Sequence, residues 1–377
     1  MKCKLSLIGT FMALVLMPSC RYAYQRYEAA PSIAASDSYD ASPSAWQHAP
    51  APQKVSSREL AISHCREAME RTVPEIRLTL DYGDLQTELN AICHYMLDSG
   101  VAVALETEAT GNKVTLRPEY SDCILMLRAH QDASFLPALS EKSRLALRKA
   151  QQIVAEVCSL YRSEYERAVA LHDYIVLNTR YESRLGIAAR ADATTKLLLD
   201  GVAVCDGYAH CYGMLLSMAG IDNKFLVGKG DGIEHIWNLV RLEGEWTHID
   251  ITYNDPKPDQ AGRVMYTYFG MSDARMASNH QWNRVAYPAA TSDALFYLFR
   301  NNLRFATVRD FLYWSTHIHP HTNWAITVYV DELENAKSES VIYDKVQAIA
   351  QSMRITHLRS IAVDKGCRAA LYCMFGR

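Results

Sequence analysis

Two cysteines six positions apart raise the question of chemistry. In the stretch GVAVCDGYAHCYGMLLSMAG, residues 201–220, Cys205 stands where an extended run gives way to a helical pattern. Cys211 follows one and a half turns later, among Ala209, Met214, Leu215 and Leu216. A thiol at a helix N-terminus meets the positive end of the helix dipole and unpaired backbone N–H groups, both of which favour thiolate. Cys205 is therefore placed for reaction and Cys211 for packing. Gly207 is expected to leave room beside the sulfur for a substrate backbone, and Gly220 suits a helix C-terminus. Asp206 is an awkward neighbour, since a carboxylate beside the sulfur disfavours the thiolate unless it points away.

A thiol nucleophile needs a base within hydrogen-bond reach and a third group to hold the tautomer of that base. The run HIWNLVRLEGEWTHIDITYND supplies both on an expected hairpin. With Glu243 and Gly244 as a two-residue turn, Leu242 faces Glu245 and all paired positions sum to 487. His235 then lies opposite Thr252 and diagonal to Asp250, on the same sheet face. That face also carries Trp237, Trp246 and His248, while Ile236, Val240, Ile249 and Ile251 form an apolar face that covers a core. His248 is expected to support the site or to lie on its rim, and Tyr181 and Tyr208 to line the cleft or the core.

Upstream, SEKSRLALRKAQQIVAEVCSLY and SEYERAVALHDYIVLNTRYE each begin with serine and acidic residues and carry apolar residues at helical spacing. Helices followed by antiparallel strands give an α+β order for the central segment. The blocks GVAVCDGYA, HIWNLV and WTHIDITYND, with Cys, His and Asp in that order, resemble the transglutaminase-like superfamily of papain-like thiol enzymes. That resemblance spans about residues 165–255 and includes the upstream helix LHDYIVLNTRYE; Ile236 replaces the small residue usual in the family. It implies a core of helices packed on an antiparallel sheet. It also implies Cys205 as nucleophile, His235 as general base and acid, and Asp250 as the orienting carboxylate. The chemistry implied is attack on an amide or peptide carbonyl through a thioester, resolved by water (peptidase or amidase) or by an amine (cross-linking acyltransferase). Hydrolysis is favoured, because nothing resembles the acidic calcium clusters of the large animal cross-linking enzymes. A third outcome stays open: an inactive surface lipoprotein that only binds. No metal or cofactor is expected, and the partner is a peptide or protein substrate.

The rest of the chain sets the context. At 377 residues with a formal charge of -3 and no basic stripe, the protein is expected to bind no nucleic acid. Residues 1–20 carry Lys2, Lys4 and an apolar run, the pattern of an export signal, and end in Met17-Pro18-Ser19-Cys20, which resembles a lipoprotein signal with Cys20 as the lipid anchor. Export to the cell envelope as a lipoprotein, or secretion, is expected, with residues 21–57 as an Ala-, Ser- and Pro-rich flexible linker. Residues 58–132 and 291–377 read as two small α/β units, the second a repeat of the first, around a core at 135–290. In that reading Cys123 and Ala369 begin the last strands of the two units. The alternating His317, His319 and His321, next to Pro320, are read as a solvated loop rather than a zinc site. The glycines of VGKGDGIE precede a strand, not a helix, so they are expected to border the cleft and not to cradle phosphate.

Overall fold

The computed structural model describes residues 51–98, 102–182, 192–257, 262–318, 324–364 and 367–375. The expected export signal, Cys20 and most of the expected linker lie outside the described residues. The first sheet unit runs β1 (Gln53–Val55), α1 (Arg58–Glu70), β2 (Ile76–Leu80), α2 (Leu85–Asp98), β3 (Ala102–Thr110) and β4 (Lys113–Tyr120). Its strand order is β1-β2-β4-β3, with β1 parallel to β2 and the other pairs antiparallel. The expected linker thus ends earlier than residue 57, because Gln53–Val55 pairs with Leu78–Leu80 and buries Val55.

Where a strand was expected from Cys123, the chain forms α3 (Asp122–Gln131). A short apolar run, CILMLRAH, has no period long enough to separate strand from helix. Here Cys123, Met126 and Ala129 are the buried apolar positions, at intervals of about one turn, and they join the core of the central helices, not that of the first sheet.

The central segment continues with α4 (Glu141–Leu160), α5 (Glu164–Asn178), β5 (Arg180–Tyr181), α6 (Ala193–Asp200), β6 (Val202–Ala203) and α7 (Cys205–Met218). The Ser140 and Ser163 side chains cap α4 and α5, and Ser163 and Glu166 close a reciprocal capping box. Helix α7 is buried along almost its whole length, as its all-round apolar composition requires. It ends at Gly220, whose left-handed φ of 78° lets Ile221 N–H reach back to the Leu216 carbonyl.

Against α7 lies a sheet of β7 (Asn223–Gly230), β8 (Ile233–Leu242) and β9 (Glu245–Ile249), followed by α8 (Ile251–Asn254), β10 (Phe269–Met271), α9 (Asp273–Met276) and β11 (His280–Trp282). The order is β10-β9-β8-β7-β11, antiparallel throughout. Glu243 and Gly244 both take positive φ, 53° and 88°, as a tight hairpin turn whose twist matches its strands demands. Leu242 pairs with Glu245 and Asn238 with Ile249, the register expected from the turn.

The chain closes with α10 (Tyr297–Arg300), β12 (Arg304–Phe305), α11 (Val308–Ile318), β13 (Trp324–Val330), α12 (Glu339–Ser352), β14 (Leu358–Asp364) and β15 (Cys367–Phe375). Its sheet order, β12-β13-β15-β14, and its parallel first pair repeat the arrangement of the first unit. The two differ in attachment. The first sheet has a core of its own, whereas the last shares one continuous core with the central segment. Arg275 contributes to that junction, with its guanidinium against Phe296, Phe299 and Tyr329 and a hydrogen bond to Asp293 at 2.8 Å.

Candidate active site

Cys205 is the first residue of α7, and the extended Val204 before it carries no capping side chain. Its thiol is half-buried and near enough to His235 to help raise that imidazole. His235 Nε2 meets Asp250 Oδ2 at 2.7 Å. Sulfur, imidazole and carboxylate thus come together from a helix N-terminus, mid-sheet β8 and the end of β9.

Asp250 is fixed by the backbone as well. It caps α8, accepting the Tyr253 N–H on Oδ1 at 3.1 Å, while its own N–H donates to the Tyr268 carbonyl. Fully buried, it would resist ionising, yet the two imidazoles on Oδ2 outweigh that penalty and hold the carboxyl well below the usual range. Burial alone would push His235 down. The charge and hydrogen bond of Asp250, with a smaller contribution from Cys205, instead raise it to about 10. A ring this basic keeps its proton at neutral pH, the condition for a thiolate–imidazolium pair.

His248 is buried, not on a rim. Trp237 Nε1–H donates to its Nδ1 at 3.0 Å, and its Nε2 meets Asp273 Oδ1 at 2.8 Å. Burial lowers it to about 4, so the ring is neutral and its Nε2–H donates to Asp273. Its role is to hold Trp237, whose indole stacks on His235 at 5.9 Å and 17°. Tyr181 and Tyr208 stack at 6.4 Å, Tyr208 hydrogen-bonds Asp255, and the Lys257 ammonium sits 3.3 Å over the Tyr181 ring. Tyr208 is fully buried and Tyr181 partly exposed, so only the second can meet a substrate.

Two expectations about α7 change. A Cβ on Gly207 would come within 2.8 Å of Ala203 Cβ and 3.2 Å of the Ala193 carbonyl. The glycine therefore serves close packing of α6 and β6 on α7, not substrate access. Asp206 turns along the helix, with Oδ1 3.4 Å from His210 Nδ1 one turn on, rather than toward the sulfur. His317 is exposed at the end of α11, and His319 and His321 lie outside the described residues.

Sequence reasoning missed His280. Its Nε2 reaches Asp250 Oδ2 at 3.0 Å, so two histidines share one carboxylate oxygen. It comes from β11, an edge strand paired with the glycine-rich end of β7. Gly228 and Gly230 make this approach feasible: a Cβ at Gly228 would lie 2.2 Å from the Gln281 carbonyl, and one at Gly230 3.3 Å from His280 Nε2. The glycines of VGKGDGIE admit a second histidine to the site. A signal was present in Asn279-His280-Gln281-Trp282, but nothing in the spacing ties it to Asp250. His235, Asp250 and His280 also lie close enough together to bind a cation. The lines between their facing atoms, at 2.7 and 3.0 Å, are hydrogen-bond distances that leave no space for an ion between them without movement.

A helix whose first turn presents a thiol to an antiparallel sheet bearing imidazole and carboxylate defines the papain-like class of α+β folds. Residues 151–251 match the model of the transglutaminase-like superfamily, so this central segment is similar to a transglutaminase-like core. A peptide-N(4)-(N-acetyl-beta-glucosaminyl)asparagine amidase of Caenorhabditis briggsae is 38% identical over 63 residues, 16% of this chain and 10% of that protein. The chain thus spans about a tenth of the length of this curated relative. Among solved structures, a TGase aligns at 14% identity and TM-score 0.26, over 47% of this chain and 50% of that one. A cysteine protease of Cytophaga hutchinsonii, so named provisionally, aligns at 15% and 0.26, over 41% and 63%. The periplasmic domain of TgpA from Pseudomonas aeruginosa aligns at 18% and 0.25, over 37% and 53%. Scores this low mark partial overlap and carry no argument about chemistry. Among the described residues, no helix is long and apolar enough to cross a membrane.

Proposed function

We propose that the protein is a thiol amidase or peptidase. Cys205, paired with protonated His235, attacks an amide carbonyl; the C–N bond then breaks as His235 gives its proton to the leaving amine, and a thioester remains on Cys205. Water, deprotonated by the now neutral His235, attacks the thioester and releases acid and free thiol. Asp250 keeps Nε2 of the ring occupied, so that Nδ1 faces the sulfur throughout. The Cys205 backbone N–H, at the start of α7, offers one donor to the oxyanion.

The observation that carries this reading is the His235–Asp250 hydrogen bond at 2.7 Å, with the partly exposed Cys205 thiol near enough to act on the same imidazole. Hydrolysis is preferred to acyl transfer because the curated relative is an amidase. Export, with lipidation at Cys20 or as a secreted protein, belongs to the same proposal and points to envelope peptides or proteins as substrates. Incubating the protein with a glutamine peptide and a fluorescent amine tests the choice. Release of ammonia without dye on the peptide is expected; dye retained on the peptide would make it an acyltransferase, and neither product from any envelope peptide, with Cys205 unreactive, would make it a binding protein.

A further inference from the structure

We propose that His280 is a positioning residue for the reaction, a second imidazole that locks the orienting carboxylate by donating to the oxygen that also holds His235. The proposal rests on the reading of Cys205, His235 and Asp250 given above.

Asp250 Oδ2 receives His235 at 2.7 Å and His280 at 3.0 Å, and Oδ1 receives the Tyr253 N–H at 3.1 Å. Three donors leave the carboxylate no freedom to rotate, so the direction of the acceptor seen by His235 is set. His280 is itself held from its other nitrogen: Asn279 Oδ1 lies 2.8 Å from Nδ1. The Asn279 carboxamide commits its Nδ2 to Tyr268 Oη at 2.8 Å and Asp231 Oδ1 at 3.3 Å, so its oxygen is the atom facing the ring. Both ring nitrogens of His280 are thereby engaged, one by the Asp250 carboxylate and the other by the Asn279 carboxamide. Rings on three sides confine it: Trp237 at 4.9 Å, Tyr253 at 4.9 Å and Tyr268 at 5.6 Å.

The groups facing His280 are Asp250 and His235 from the hairpin, the neutral His248 beyond Trp237, Tyr253 from α8, Tyr268 and, through Asn279, Asp231. Without His280, Asp250 Oδ2 would lose one of its two imidazole partners, and the carboxylate would hold the His235 ring less firmly.

The test is the rate of Cys205 alkylation by iodoacetamide across pH, read by mass spectrometry on the full chain. His280→Phe should slow alkylation at neutral pH about tenfold, the scale of one lost hydrogen bond to a charged group. His280→Gln keeps an N–H donor of similar reach and should recover most of the rate at the same melting temperature. A His280→Phe protein with the wild-type rate and profile overturns the proposal. So does a His280→Gln protein that melts like wild type yet reacts as slowly as His280→Phe. If Cys205 of the unaltered protein reacts no faster than the other thiols, the thiol-enzyme reading fails and this one with it; selective labelling that ignores His280 defeats this one alone.

Discussion

Helix α7 separates two regions built from the same functional groups. On one side Cys205, His235 and Asp250 form the candidate site. On the other, Cys123 and Cys211 lie with Asp122, Asp206 and His210, again thiols, carboxylates and an imidazole, and all are buried. Burial pushes both of these thiols up, Cys123 and Cys211 alike, and Asp122 adds like charge. Asp122 spends its oxygens on the N-terminus of α6, at 3.2 Å to Thr194 N and 2.6 Å to Thr195 N. Cys123 Sγ lies 3.1 Å from the hydroxyl of Ser121. Group inventory therefore does not make a nucleophile. What distinguishes the first region is a thiol at an open helix end and an imidazole whose far nitrogen is already occupied by a carboxylate.

The largest difference should appear on removing sulfur. Cys205→Ala is expected to abolish amide turnover, whereas Cys211→Ala should leave turnover per folded molecule within about twofold and cost about 1–2 kcal/mol of stability, measured by denaturant unfolding, as a small buried group lost from a packed core does. Next comes the imidazole: His235→Ala should lower turnover by roughly 10²–10⁴, the usual range for a general acid–base, and His210→Ala by far less. Comparable losses from the two would erase the contrast between the regions.

Asp250→Asn probes the electrostatics. In the unaltered protein, turnover should persist to about pH 10 and fall above it, as His235 loses the proton it owes the leaving group. Asp250 is the cause that raises His235, so Asp250→Asn should move that basic limb down toward the ordinary histidine range near pH 6.5. The stability linkage has a definite sign. A histidine raised by folding contributes stability below about pH 6.5 that is lost as pH climbs through about 10, so the unaltered protein should lose more stability than Asp250→Asn across that window. The smallest effect on catalysis should come from Asp122→Ala, which removes the cap of α6 at a cost of roughly 1–2 kcal/mol with rate per folded molecule unchanged.

Much of the site was legible because local rules fix it. A Glu-Gly turn sets hairpin register, register decides that Trp237, His248 and Asp250 share a face, and a helix start marks Cys205. His280 was not legible, since it reaches Asp250 through an edge strand thirty positions away in sequence (250 to 280) whose placement depends on glycines in β7. The helix at Asp122–Gln131 was misread because eight apolar and basic residues fit either period, and the choice was made by packing on α7. The strand at Gln53–Val55 was hidden for a similar reason: three residues carry no pattern, and only pairing with β2 orders them.

Site-resolved alkylation of the folded protein at neutral pH tests the central claim most directly, because its eight described cysteines compete under identical conditions. The account predicts that iodoacetamide modifies Cys205 well ahead of Cys93, Cys158 and Cys367, the other partly exposed thiols, and that His235→Ala removes this lead. Labelling that follows exposure alone, with Cys205 unaffected by His235→Ala, would contradict it.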